Sequence, residues 1–196
     1  IFVKPMTDHT NLARLEQLLP QLFEPVAVAG DPYLRFQLTP EIPALLSMER
    51  VLEALLVPAN SISPLPNLPA LMIGMMNSRQ RVFCVVDLAQ LLGVAAPLSK
   101  LREYQVIVIN FTDSTSGTTN APSQGKLLGL AVNRVRGIAR LSAEQWQPVT
   151  GEVPEILTPY LNGCVFEGDE RILGIDTRSI LASPLLSVNS AIKSRL

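Results

Sequence analysis

The side chains suited to nucleophilic or metal chemistry are few and widely separated in this sequence. The only histidine is His9, which a serine–histidine or cysteine–histidine nucleophile pair would have to use. Cys84 and Cys164 fall inside the apolar runs RVFCVVD and LNGCVFE, which are typical of core strands, and a reactive thiol is the alternative. A zinc site needs about four nitrogen or sulfur ligands. The residue types therefore predict neither a catalytic nor a metal centre.

Phosphate and sugar chemistry also have little support in the glycines and carboxylates. Gly125, Gly129 and Gly137 form no phosphate-binding loop, and no GxxxxGK[ST] sequence occurs. Several acidic residues fall in predicted turns, where a glycosidase-like carboxylate pair is the alternative to a solvated surface. These residues are Glu152, Glu155, Glu167, Asp169 and Glu170. The net charge of −1 and the 5% of aromatic residues argue against a nucleic-acid partner.

A different kind of site is indicated by residues 72–92, which read MIGMMNSRQRVFCVVDLAQLL. Asn77, Arg79 and Arg81 separate two apolar segments of this stretch. Nothing in it matches a catalytic motif, so we interpret the arginine-bearing turn as a docking surface.

The elements that hold this turn are mainly strands separated by turns rich in proline and glycine. Leu34, Phe36 and Leu38 alternate with polar residues, which is typical of a half-buried strand. Further strands are predicted at 81–86, 104–111, 127–132, 135–141, 160–166 and 171–175. Residues 48–57 fit either a helix or a strand, and residues 70–76 are expected to form one helical turn. Pro40 and Pro43 are expected to interrupt the chain after the first strand.

Residues 81–92 and 171–181 echo each other. Each segment has an arginine, an apolar strand, an aspartate and a short helix with leucines on one side. Asp87 and Asp176 are placed to cap those helices by accepting hydrogen bonds from backbone N–H groups. Many short strands joined by such turns favour barrels over an open sheet. The echo therefore predicts two related sub-barrels, each finished by the same strand–helix unit.

The composition predicts a globular chain with a large core, since 47% of residues are hydrophobic and the mean hydropathy is +0.28. The longest uncharged run, 54–78, is interrupted by prolines, which argues against a membrane-spanning helix. The N-terminus has no basic region followed by an apolar signal core, and the two cysteines form no disulfide framework, so a reducing cytoplasm is expected. Leucines at helical spacing predict an N-terminal helix at 10–23.

The order of several segments resembles the CheW-like family of chemotaxis coupling proteins. The first half carries RVLE at 50–53, PALMIG at 69–74, NSR at 77–79 and VVDL at 85–88. The second half carries LGLAV at 128–132, YLNG at 160–163 and RILGID at 171–176. The resemblance implies a mainly β, CheW-like fold: two packed five-stranded SH3-like β-barrels with short helices and an apolar groove between them. We expect this domain at 32–186, a helical extension and linker at 1–31, and a tail at 187–196.

The resemblance also implies a non-enzymatic adaptor without a cofactor. Such an adaptor couples a chemoreceptor's cytoplasmic helical hairpin to the regulatory domain of a CheA-type histidine kinase. It stays in the cytoplasm beside membrane receptor arrays and enters neither a membrane nor a nucleic-acid complex. Two other roles for this fold stay open: a stand-alone scaffold, and a small-ligand sensor that uses the inter-barrel groove.

Partner-binding positions carried over from the family fall on Val51, Glu53, Met72, Gly74, Asn77 and Arg79. Glu53 and Arg79 are expected to pair with each other. Met72, Met75 and Met76 would line a groove that accepts a helix, or else belong to the core. The family's turn of the form Asn-x-Arg-Gly has Gln80 in the glycine position, where a positive φ would strain the backbone.

Overall fold

The computed structural model describes residues 30–94, 98, 101–111 and 126–187. The expected N-terminal helix at 10–23, the polar loop at 113–125 and the tail from 188 onward lie outside the described residues.

Ten strands and several short helices make up the described part of the chain. The strands are β1 (Asp31–Thr39), β2 (Ile42–Ser47), β3 (Val51–Pro58), β4 (Met72–Ser78), β5 (Arg81–Asp87), β6 (Glu103–Phe111), β7 (Lys126–Val132), β8 (Arg134–Leu141), β9 (Leu161–Glu167) and β10 (Glu170–Ile175). The α-helices are α1 (Leu88–Leu91), α2 (Thr177–Leu181) and α3 (Pro184–Ser187). Single turns of 3-10 helix occupy Ala59–Ser61, Ala143–Gln145 and Glu155–Tyr160.

The strands form two five-stranded sheets, which confirms the expected mainly β class. One sheet has the order β8-β1-β2-β10-β9, and we call it barrel A. The other has the order β3-β6-β7-β5-β4, and we call it barrel B. The strands of barrel B, β3 to β7, are consecutive in sequence and fall between β2 and β8 of barrel A, so barrel B is inserted into the sequence of barrel A.

The two barrels share one topology in circularly permuted order. Strands β3 to β7 of barrel B correspond to β8, β9, β10, β1 and β2 of barrel A. In barrel B, β5 of the hairpin β4–β5 pairs in parallel with β7. In barrel A, β10 of the hairpin β9–β10 pairs in parallel with β2. This arrangement is the structural basis of the echo between residues 81–92 and 171–181.

The aspartate that ends each parallel strand caps the helix that follows it, as the echo predicts. The carboxylate of Asp87 accepts from the backbone N–H groups of Gln90, at 3.2 Å, and Leu98, at 3.0 Å. Asp176 accepts from the N–H of Arg178 at 2.9 Å. Asp87 is 1% exposed, so its bonds are made in a buried site, where an unpaired carboxylate would be costly.

Each sheet is closed by a short segment that follows its edge strand. Ser63, shortly after β3, exchanges two backbone hydrogen bonds with Met75 on β4. Gln147, shortly after β8, does the same with Cys164 on β9. The two bridges occupy corresponding places, because Met75 and Cys164 hold the same position in their hairpins.

The core explains why the two barrels pack as one body. Val106 and Val108 of β6 point into the interior of barrel B, whereas Ile107 and Ile109 join the cluster shared with barrel A. All four are fully buried, and each such side chain contributes about 2 kcal/mol of apolar burial. Side chains alternate between the faces of a strand, so only an unbroken apolar run such as VIVI can serve two cores.

Three local expectations need correction or completion. Pro43 was expected to interrupt the chain, but it lies within β2. Proline has no backbone N–H to donate, and none is needed here, because β10 pairs with β2 only from Ala44 onward. Residues 72–76 are strand and not a helical turn, because β4 forms a hairpin ladder with β5. The ambiguous segment at 48–57 is strand from Val51. Among the described residues, no helix is long and apolar enough to cross a membrane.

Candidate docking site

The arginine-bearing turn joins β4 to β5 through two residues, Arg79 and Gln80. Ser78 and Arg81 pair across the hairpin, and the backbone φ angles are 48° at Arg79 and 64° at Gln80. Both central residues therefore adopt the left-handed conformation of a type I′ turn, which normally carries asparagine and glycine. This confirms the expectation of a positive φ at Gln80. The turn is strained, because left-handed backbone costs non-glycine residues about 1–2 kcal/mol each.

Glu53 lies beneath the turn on the facing edge strand, β3. One extra residue, Leu52, interrupts the pairing of β3 with β6, so Val51 packs on the shared core while Leu55 and Val57 face the interior of barrel B. Bulges of this kind re-aim the side chains that follow them. The Glu53 carboxylate thus lies on the interior side of β3 and reaches the β4–β5 hairpin.

The predicted pairing of Glu53 with Arg79 is present. Nη2 of Arg79 lies 2.9 Å from Oε2 of Glu53, and the Ser78 hydroxyl donates to Oε1 at 3.3 Å. Oε2 is buried and accepts no hydrogen bond of good geometry, so its contact with the guanidinium is an ion pair only. The two side chains differ in exposure, at 16% for Glu53 and 81% for Arg79. An inward carboxylate therefore anchors an outward cation that keeps most of its surface for a partner.

Exposed apolar side chains lie on β3, which carries Glu53, and on β5, which follows the turn. Leu52 and Leu56 on β3 are 52% and 62% exposed, and Val82, next to the turn, is 64% exposed. Apolar surface beside a well-placed arginine is the composition that protein interfaces favour. The surface formed by Leu52, Leu56, Val82 and Arg79 is called the docking surface below.

Of the four other predicted partner-binding residues, only Asn77 is exposed. Asn77 is exposed on β4, directly opposite Val82. Val51 and Met72 are half-buried and pack against the shared core. Gly74 is buried with φ 154°, and a Cβ there would lie 2.4 Å from the Ser63 carbonyl oxygen. The structure therefore gives Gly74 a packing role at the bridge that closes barrel B.

The methionines do not form one exposed row. Met76 is 6% exposed and belongs to the interior of barrel B, so the alternative assignment to the core is correct for it. Met75 is half-buried, with its sulfur 3.1 Å from the Cys84 sulfur. Cys164 is buried beside the Pro148 carbonyl oxygen. Within the described ranges, no group of three histidine, cysteine or carboxylate side chains could hold a metal ion.

Sequence reasoning missed a second charged group, in barrel A. Arg35 on β1 forms ion pairs with Glu167 and, at 2.6 Å, with Glu170, both at the end of the β9–β10 hairpin. Arg35 is more than a hundred residues away from both glutamates in the chain. The permuted repeat was the available signal, since Glu167 and Glu170 occupy the places of Ser78 and Arg81.

Comparison with known proteins agrees with this architecture. The family model described as CheW-like domain matches residues 32–184. The structure is similar to the crystal structure of the scaffolding protein TtCheW from Thermoanaerobacter tengcongensis, with a TM-score of 0.62 and 20% sequence identity. That match covers 80% of this chain and 95% of the other, and at this identity it shows the fold alone. A search of curated proteins found no match.

Proposed function

This chain belongs to the CheW-like domain family, and from that membership we propose that it is a non-enzymatic adaptor. Its role is to couple a chemoreceptor-type sensor to a CheA-type histidine kinase in taxis or pilus-motility signalling. The observation that carries this proposal is the Glu53–Arg79 pair, which holds an exposed cation beside apolar surface. The residues proposed to bind partners are Val51, Glu53, Met72, Gly74, Asn77 and Arg79.

The pair prepares the docking surface for binding without adding much stability. Because the Arg79 side of the pair is 81% exposed, solvent screens the interaction, and such a pair contributes about 0–1 kcal/mol to the stability of the fold. Its effect on orientation is larger, because the strained turn and the carboxylate together restrict where the guanidinium can point. A partner carboxylate that meets Arg79 then loses less conformational freedom on binding. Leu52, Leu56 and Val82 supply the apolar burial that a charged contact alone does not provide.

The two proposed partners need different features of this surface. In the family, the kinase regulatory domain has the same fold, so two barrels can pack against each other, with charge setting the register of the contact. The receptor hairpin is helical, and an amphipathic helix presents its apolar face to exposed leucine and valine side chains. Heterologous contacts of this kind can close into rings, as receptor arrays require.

The binary interaction can be tested by titrating the full chain with the regulatory domain of a CheA-type kinase. We expect saturable binding in the micromolar range, corresponding to about 8 kcal/mol. Arg79→Glu should weaken binding of the kinase domain, the receptor hairpin, or both, by about tenfold or more, because it reverses the charge that meets a partner carboxylate. Arg178→Glu is the matched control, because Arg178 is an exposed arginine on helix α2, away from the docking surface on barrel B. Equal affinities for both variants and both partners would contradict the assigned surface.

The two other roles differ in their support. Gln80 in the family's glycine position is the observation that favours a stand-alone scaffold, because it departs from the turn through which the family contacts receptors. The chain would then bind the kinase domain but not the hairpin. The sensor role through an inter-barrel groove has no such support, because the described residues between the barrels form a packed apolar cluster.

A further inference from the structure

Barrel A contains an open cleft of about 580 Å³ between β8 and the β9–β10 hairpin. Its volume falls in the range of about 300–1,000 Å³ that is usual for small-molecule sites. The charged and polar side chains in its lining are Arg35, Gln37, Arg136, Glu167 and Glu170. The cleft lies within one barrel and is separate from the docking surface on barrel B.

The permuted repeat explains why this cleft is open. Glu53 pairs with Val108 in barrel B, and Gly137 pairs with Arg35 in the corresponding place of barrel A. The Glu53 side chain fills space on the interior side of β3 in barrel B. At the corresponding place in barrel A, a Cβ added to Gly137 would meet no atom within 4 Å. The space that a glutamate takes in one barrel is therefore left empty in the other.

The two walls of the cleft carry opposite charges. On the β8 wall, Arg136 is exposed and Nη2 donates to the Gln37 side chain at 3.0 Å. On the hairpin wall, Glu167 and Glu170 face each other across the two strands and are 65% and 52% exposed. Arg35 lies between these carboxylates and offsets the repulsion expected of opposed like charges.

From this arrangement we propose that the cleft binds a small zwitterion of the α-amino-acid class. The ligand's ammonium group pairs with Glu167 and Glu170, and its carboxylate pairs with Arg136. A ligand with one charge satisfies one wall and is repelled by the other, so a molecule with both charges is the class that fits. Charge-assisted hydrogen bonds to both ends fix its orientation across the cleft. This inference is independent of the proposed adaptor function.

The test uses the ¹⁵N-labelled full chain and follows backbone amide chemical shifts at constant ionic strength. The probes are the proteinogenic α-amino acids, first pooled and then singly, with acetate and methylammonium as the singly charged controls. We expect saturable shifts at Gly137 and Ile138 for at least one amino acid, with a Kd of about 1 mM or tighter. Neither singly charged control should reproduce the saturation.

Variants test whether the two walls act as assigned. Arg136→Gln and the double variant Glu167→Gln with Glu170→Gln should each weaken binding by about tenfold or more. Arg134→Gln is the matched control, because Arg134 is an exposed arginine on the same strand outside the lining of the cleft. The proposal is overturned if no amino acid gives saturable shifts at about 50 mM, a concentration far above useful affinity. It is also overturned if the two singly charged ions produce the same shifts, or if Arg134→Gln weakens binding as much as Arg136→Gln.

Discussion

Replacing Gln80 with glycine should stabilise this protein. The residue has a φ of 64° in a turn where its neighbour Arg79 is also left-handed. Glycine adopts this conformation without the penalty of about 1–2 kcal/mol that a side chain incurs. Against that gain, glycine adds freedom to the unfolded chain, which costs about 0.4–1 kcal/mol. The difference leaves a net stabilisation of about 1 kcal/mol.

Gln80→Ala is the reference variant, because alanine removes the polar side chain but keeps the left-handed penalty. A stability difference of about 1 kcal/mol shifts the Tm of a chain of this size by about 2–4 °C. We therefore expect Gln80→Gly to unfold about 2–4 °C above Gln80→Ala when thermal unfolding is followed by circular dichroism. Urea titration should give the same order with unchanged slopes. An equal or lower Tm for the glycine variant would refute the inference that this turn is strained.

Three further outcomes test the fold. Gly74→Ala should destabilise the protein by about 3 kcal/mol or prevent folding, because its Cβ would lie 2.4 Å from a carbonyl oxygen; urea denaturation measures the loss. Asp87→Ala should lower the free energy of unfolding by about 3 kcal/mol, and Asp176→Ala by about 1 kcal/mol, as urea denaturation would show. Asp87 is the more costly to replace because it is buried and accepts from two backbone N–H groups, whereas Asp176 accepts from one. Equal losses for the two variants would contradict this reasoning. Burial, and then the charge of Asp31, raise the pKa of Tyr33 above 10.0. As the pH rises, the folded state therefore retains the Tyr33 phenol proton to a higher pH than the unfolded state does, so the free energy of unfolding should fall above pH 10. The fall should be smaller in Tyr33→Phe. Denaturation of both proteins at pH 8 and pH 10.5 would measure the difference.

Sequence periodicity predicted most strands because the core demands it. The run VIVI in β6 must be apolar on both faces, and Asp87 and Asp176 marked the ends of equivalent strands. β2 was missed because Pro43 normally indicates a break, and only the pairing partner decides whether its missing N–H matters. Local sequence does not contain that information.

Local sequence also does not determine the two groups of ion pairs, Glu53 with Arg79 and Arg35 with Glu167 and Glu170. Glu53 and Arg79 were assigned through a family resemblance, and the bulge at Leu52, which aims Glu53 at the turn, has no signature in the local sequence. The contacts of Arg35 with Glu167 and Glu170 join distant strands of a permuted barrel. Their pairing depends on which strands become neighbours, a property of topology and not of spacing along the chain.

The most direct test of the adaptor function is a three-component assembly measured by size-exclusion chromatography with light scattering. The components are the receptor's cytoplasmic helical hairpin, the kinase regulatory domain and this chain. We expect hairpin and kinase domain to elute together only when the wild-type chain is present, and we expect Arg79→Glu to reduce this assembly while Arg178→Glu does not. Separate elution of hairpin and kinase domain at saturating concentrations of the wild-type chain would contradict the coupling role.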